Sequence, residues 1–183
     1  LLKTEDFKKL IDEISDTGFY IQLFFQGEPF INKNLPEMIK YAQTKKVYVS
    51  ISTNGHFVNE KNVDYVLDNA PDKLIFSVDG LDEESYQKYR VGGTFEQADS
   101  GLRSLIKHKK ELGLKNPFIE FQFIVMKQNE HQMDDVKKYC NEVGVDKLVF
   151  KTMQISSYEN AVKFLPTNKK FRRYALENNS FKI

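Results

Sequence analysis

The chain has 183 residues, of which 40% are hydrophobic and 29% charged, with a formal net charge of +1. That length fits one domain with a substantial core, and the composition reads as soluble and globular. The charge balance makes no global case for a nucleic-acid or membrane partner, and no apolar run approaches the roughly 20 residues of a membrane span. The single cysteine, Cys140, excludes an internal disulfide and points to a reducing compartment, the cytoplasm. The opening Leu1-Leu2-Lys3-Thr4-Glu5-Asp6 lacks an initiator Met and a signal-peptide apolar core, so the sequence reads as a piece of a longer protein.

Phe7, Leu10, Ile11 and Ile14 recur at helical spacing. They predict an amphipathic helix with Thr4 as N-cap, Glu5 and Asp6 in its first turn and Gly18 at its stop. A strand follows from Phe19 to Gln26. A second helix is predicted over Leu35 to Lys45, capped by Asn34 with Pro36 in its first turn. Next come a strand over Val47 to Ser52 and a helix marked by Val63, Val66, Leu67 and Ala70, which Pro71 ends. A third strand runs Lys73 to Ser77. Beyond it lie a short helix near Glu83 to Tyr89, a Gly92-Gly93 break and a long helix from Phe95 to Leu112. A fourth strand covers Phe118 to Met126. Met133, Val136, Cys140 and Val143 mark another helix, and Asp146 to Met153 forms the last strand. After Ser156 no strong period is visible, and Lys169, Lys170, Arg172 and Arg173 read as a polar, partly frayed tail. The division expected is a core over residues 1–155 and a tail over 156–183.

The alternation of helices and strands argues for an α/β fold with a parallel sheet and crossover helices. A right-handed β/α repeat puts a strand before each helix, so the leading helix implies a missing first strand. The bare sheet edge would then invite self-association. Asn54-Gly55 has the composition of a hairpin turn, but Asn59-Glu60-Lys61-Asn62-Val63 reads as a helix start and competes with it.

Strand side chains alternate between two faces. Ile21, Leu23 and Phe25 oppose Gln22, Gln26 and Glu28. Val47, Val49 and Ile51 oppose Ser50, Ser52 and Asn54. Leu74, Phe76 and Val78 oppose Ser77 and Asp79, and Phe121, Phe123 and Val125 oppose Glu120 and Gln122. One face is expected to take helices, and the polar one to line a barrel interior or cleft whose groups a ligand, water or an internal hydrogen-bond network satisfies.

Three strands end in small polar signatures: Gln26-Gly27-Glu28-Pro29, Ser52-Thr53-Asn54-Gly55 and Ser77-Val78-Asp79-Gly80. Carboxyl ends of strands are where barrel folds put ligands. The first offers free carbonyls and a carboxylate to an ammonium group, or is a turn with a solvated Glu. Ser52, Thr53 and Asn54 offer hydroxyls and an amide. Ser77 and Asp79 suit ribose hydroxyls, or cap a turn. Arg90 suits a carboxylate, or is a surface arginine. Together these groups complement an amino acid joined to a nucleoside.

The order and spacing of these motifs resemble the radical S-adenosylmethionine superfamily, from about Thr4 to Ile155. The first signature is similar to its G-G-E-P motif, with Gln26 in place of the first Gly. The second matches S-T-N-G, and the third is similar to S-x-D-G. The run Tyr89-Arg90-Val91-Gly92-Gly93-Thr94-Phe95-Glu96 looks most like the subfamily with a C-terminal SPASM extension. The resemblance implies a partial TIM-type (β/α)6 barrel, with an open parallel sheet and helices on its outer face. It also implies S-adenosylmethionine beside a 4Fe–4S cluster, an electron donor, and a small-molecule or peptide substrate. Gln26, Gly27, Glu28 and Pro29 would hold the methionyl ammonium, and Ser52, Thr53 and Asn54 would lie along the cofactor. Ser77 and Asp79 would approach its ribose or carboxylate, Arg90 its carboxylate, and the backbone of Thr152 and Met153 its adenine. Gln122 is a candidate for the substrate pocket.

One departure is serious. The family holds its cluster with three cysteines in a C-x3-C-x2-C loop, and a cluster needs those thiolates. This chain has only Cys140, on an apolar helix stripe. The cysteine loop is expected upstream of Leu1 and the extension beyond Ile183, so the chain by itself is expected to be inactive. Two other readings stand beside this one: a different barrel enzyme using Glu28 and Asp79 as an acid/base or metal-ligand pair, and a non-catalytic interaction module. His56, His108 and His131 show no metal-ligand spacing, and Lys107-His108-Lys109-Lys110 reads as a solvated helix face.

Overall fold

A computed structural model describes residues 2–177 and 180–182. Its elements alternate as the hydrophobic pattern predicts: α1 (Thr4–Ile14), β1 (Tyr20–Gln22), α2 (Leu35–Thr44), β2 (Tyr48–Thr53), α3 (Val63–Asp68) and β3 (Lys73–Ser77). They continue with α4 (Glu83–Gln87), α5 (Phe95–Glu111), β4 (Phe118–Val125), α6 (Met133–Val143) and β5 (Lys147–Thr152). The five strands form one sheet in the order β1-β2-β3-β4-β5. β1 pairs in parallel with β2, and β2 with β3. Parallel neighbours need a crossover, and α2 and α3 supply it.

The described chain divides into two compact units. The first comprises Leu1–Ser77 and Gln97–Glu120. Its buried side chains come from one stripe of each helix and from the strands between them: Phe7 and Ile11 of α1, Met38 and Ile39 of α2, Ile51 of β2, Phe76 of β3 and Leu105 of α5. Each contributes roughly 1.5–3 kcal/mol of burial. The second comprises Val78–Glu96 and Phe121–Ile183. There Met126, Met153, Ile155, Ala161, Phe164, Leu165 and Tyr174 pack into one apolar cluster.

Four expectations are corrected. The first strand stops at Gln22 instead of reaching Gln26, and Phe25 is 94% exposed rather than turned to the core. As an edge strand β1 has a neighbour on one side of the sheet only, which holds its end less firmly than a central strand's. Thr4 is not the N-cap of α1: Lys3 holds that position, with no side-chain capping bond. The polar face of the strands is closed over only part of the first unit, where Gln26 stays exposed and Glu28, Ser52 and Asn54 half-buried. Ser50 and Glu120 are buried there, and Lys73 meets the Glu120 carboxylate at 2.7 Å, which supplies the partner a buried carboxylate requires.

The fourth correction concerns the stretch after Ser156. It forms α7 (Tyr158–Phe164), capped by the Ser157 hydroxyl, and then an antiparallel pair of β6 (Ala175–Glu177) and β7 (Ser180–Lys182). With seven residues, α7 is too short to show a period, yet Ala161 and Phe164 are both buried.

Candidate active site at the strand tips

In the first unit, the chain leaves β1 through Phe24 and Phe25 and turns at Gly27, whose φ of +82° lies where other residues are strained. Glu28 then caps a 3-10 turn, Pro29–Ile31. Its carboxylate accepts the Phe30 N–H at 3.3 Å through Oε1 and the Asn54 N–H at 2.9 Å through Oε2. One side chain therefore ties the first signature to the second. Phe30 and Phe57 stack at 5.2 Å and fasten the same two loops. Gln26, Glu28 and Pro29 lie on a cavity of about 560 Å³ that Phe7, Leu23 and Met38 also line.

The second signature is a turn built from its own side chains. Thr53 Oγ1 accepts the Gly55 N–H at 3.1 Å, and Asn54 Oδ1 accepts the His56 N–H at 2.9 Å. The hairpin reading of Asn54-Gly55 fails, because β2 has parallel neighbours on both sides. Ser52 is half-buried beside this turn, and Ser77 ends β3 as a buried residue.

In the second unit, Asp79 and Arg90 form an ion pair. Arg90 Nε and Nη2 both reach Asp79 Oδ2, at 2.7 and 2.6 Å. Asp79 Oδ1 accepts the Ile124 N–H at 2.7 Å, and the Asp79 side chain is 0% exposed. Burial pushes its carboxyl above the ordinary range, opposed by the Arg90 guanidinium and the Ile124 N–H. Asp79, expected to approach the ribose or the carboxylate of the cofactor, thus has its side chain turned inward with both oxygens engaged.

Asn129 was not legible as a site residue. It is fully buried, its amide donates to the carbonyls of Asp79 (3.0 Å) and Ile124 (2.9 Å), and its Oδ1 accepts the Met126 N–H at 2.7 Å. An Asn three residues past an apolar strand end is a turn signal, and here the turn also fastens the tip that carries Asp79.

The remaining predicted residues are placed as follows. Gln122 is half-buried on β4, and its carbonyl accepts the Val78 N–H at 3.0 Å. Thr152 ends β5, half-buried, while the Met153 side chain is in the apolar cluster, leaving only its backbone for recognition. Cys140 is buried, and burial pushes its thiol up to about 12. Among the described residues no three His, Cys, Asp or Glu side chains gather as a metal site, and no helix is long and apolar enough to cross a membrane.

A family model described as the Radical SAM superfamily matches residues 1–140. The chain is 30% identical over 144 residues to an AdoMet-dependent heme synthase of Nitratidesulfovibrio vulgaris, covering 77% of this chain and 37% of that protein. It is 30% identical over 157 residues to a probable GTP 3′,8-cyclase of Methanococcus aeolicus, covering 84% and 46%. Among solved structures, SuiB of Streptococcus suis bound to S-adenosylmethionine matches with a TM-score of 0.66 at 17% identity, covering 85% of this chain and 35% of that one. That likeness is one of fold: a five-strand parallel sheet flanked by helices. The chain spans less than half the length of each of these three proteins.

Proposed function

Because the chain belongs to the radical S-adenosylmethionine superfamily, we propose that it is the cofactor-binding core of an enzyme that cleaves S-adenosylmethionine reductively. The observation that carries this is the clamp at the first signature, where Glu28 is held by the Phe30 and Asn54 N–H groups. A carboxylate oxygen has two acceptor sites. Each Glu28 oxygen therefore keeps capacity for an ammonium donor while its position is fixed. This acceptor set fits the methionyl ammonium of the cofactor.

In this reading Gln26, Gly27, Glu28 and Pro29 bind the ammonium, and Ser52, Thr53 and Asn54 lie along the cofactor. Ser77 takes a ribose hydroxyl, Arg90 pairs with the carboxylate, and the backbone of Thr152 and Met153 faces the adenine. Gln122 is assigned to the substrate side. When bound, the cofactor would supply hydrogen-abstraction chemistry after one-electron reductive cleavage, with the electron coming from an external donor and methionine as the leaving group. The chain's own residues bind and orient; none of them is assigned a proton transfer.

A 4Fe–4S cluster does not fit the residues of this chain. It needs several thiolates, and the one cysteine is a buried thiol on the apolar stripe of α6. The rival use of Glu28 and Asp79 as an acid/base pair is disfavoured, since both carboxylates serve as acceptors for backbone N–H groups.

The run Tyr89 to Glu96 supports the SPASM-type subfamily, and with it a cytoplasmic enzyme that needs an electron donor. The substrate is a small molecule or a peptide; the heme synthase and the GTP cyclase show how widely related cores are used. For this chain on its own, self-association through the β1 edge belongs to the same reading. The test is anaerobic reconstitution of the full-length protein with iron and sulfide. Cluster absorbance and release of 5′-deoxyadenosine are expected; absence of cleavage under reducing conditions overturns the proposal.

A further inference from the structure

Asp79 sits in one of the three signatures, yet it has no surface to offer a ligand. Its side chain is 0% exposed, Oδ1 is taken by the Ile124 N–H and Oδ2 by two donors of Arg90. The Arg90 side chain keeps 26% exposure. The pair is thus asymmetric: an enclosed anion holds a cation that still reaches solvent.

The way Arg90 is held matters. A guanidinium is a rigid planar fork with five donors, and it recognises a carboxylate best through two parallel bonds. Asp79 engages the edge that carries Nε. The Tyr89 ring adds a second restraint, with the guanidinium carbon 5.6 Å from its centroid. The anchor is held at two points: the Asn129 amide donates to the Asp79 carbonyl and the Ile124 N–H to the Asp79 carboxylate.

We infer that Asp79 is a positioning residue, which orients the Arg90 guanidinium toward the cofactor carboxylate without touching the cofactor. This rests on the reading of Arg90 given above and adds a role that the motif alone does not assign. By charge alone, Asp79 opposes the binding of another anion, since it partly neutralises Arg90. Removing its charge would then tighten binding. If Asp79 instead works by orientation, removing it loosens binding. The two roles predict opposite signs.

The experiment uses the reconstituted full-length protein and two ligands, S-adenosylmethionine and its decarboxylated form, which keeps the ammonium and sulfonium and lacks only the carboxylate. Dissociation constants are measured by equilibrium dialysis. Arg90→Ala should weaken S-adenosylmethionine by about 10- to 100-fold, the range for hydrogen bonds to charged groups. Asp79→Asn should weaken it by about tenfold, and the double variant should be no weaker than Arg90→Ala. The decarboxylated ligand should bind all variants within about twofold of the wild type, as expected where the changed groups share no partner with it.

Arg90→Lys guards against loss of folding in the Asp79 variant. It keeps the charge at a partly exposed position but removes the fork, and the inference expects it to bind like Arg90→Ala. Three results overturn the inference: unchanged or tighter binding by Asp79→Asn, equal loss of both ligands, or wild-type binding by Arg90→Lys. Failure of the wild-type protein to bind either ligand overturns the family-based reading instead, and the inference with it.

Discussion

The Glu28 carboxylate accepts the Asn54 N–H at 2.9 Å, so the tips of β1 and β2 are joined by a side chain from one and the backbone of the other. Glu28→Gln keeps one carbonyl acceptor and replaces the other with a donor, which faces an N–H. We expect a loss of about 1–2 kcal/mol by urea denaturation, the scale of a charge-assisted hydrogen bond. In the full-length protein the same variant should weaken S-adenosylmethionine binding. A stability equal to that of the wild type would remove Glu28 as the clamp.

Gly101 lies inside α5, where alanine would normally favour the helix by about 1 kcal/mol. A Cβ at that position would meet the Val58 carbonyl oxygen at 2.5 Å and that of Gly55 at 2.7 Å. Both are backbone atoms of the loop after β2 and cannot rotate away. Gly101→Ala should therefore destabilise by about 1–3 kcal/mol, the cost of overpacking. Thermal melting checks it, and a raised midpoint would show that the loop yields.

Asp82 caps α4: its Oδ1 accepts the Ser85 N–H at 2.7 Å, and Gln132 contacts Oδ2. The Ser85 N–H holds its carboxyl below the ordinary range, against the opposing effect of burial. A carboxylate with a depressed folded-state value contributes stability above its unfolded value, about pH 4, and loses it as pH falls through the folded one. Asp82→Ala should cost about 1 kcal/mol near neutral pH. Its deficit should shrink as the pH drops below about 4, which denaturant midpoints across that range would reveal.

Glu130 docks the segment after α7. Oε1 accepts the Thr167 N–H at 2.9 Å and its hydroxyl at 2.8 Å, and Oε2 accepts the Asn168 N–H at 3.0 Å. Glu130→Ala should raise amide exchange at Thr167 and Asn168 without altering exchange in α5. Because the site is partly exposed, the global cost should stay near 1 kcal/mol.

Cys140 should resist alkylation by iodoacetamide in the native state at pH 8, since burial pushes the thiol up to about 12 and closes access. Full reactivity is expected in denaturant. Rapid native labelling would contradict its place in the core.

Much of this protein was determined by its sequence alone. The helical spacing of Met133, Val136, Cys140 and Val143, the apolar runs over Lys73–Ser77 and Phe118–Val125, and the order of the three signatures specify alternating helices and strands and where their tips fall. Those features are local, because periodicity reports which face of one element is buried. The sequence misled where the outcome depends on neighbours. Phe25 has a core-like position in its strand and ends exposed, because β1 is an edge. Of the partners open to the polar face, an internal one is found for two carboxylates, since Lys73 pairs with Glu120 and Arg90 with Asp79.

Tertiary structure alone decided what each carboxylate does. Glu28 and Asp79 look equivalent as acidic residues at strand ends. One is pinned by two backbone N–H groups with acceptor capacity remaining; the other is sealed and spent on Arg90 and Ile124. Apart from Phe30, two positions from Glu28, the partners lie 11 to 45 positions away in the chain, beyond the reach of any local pattern.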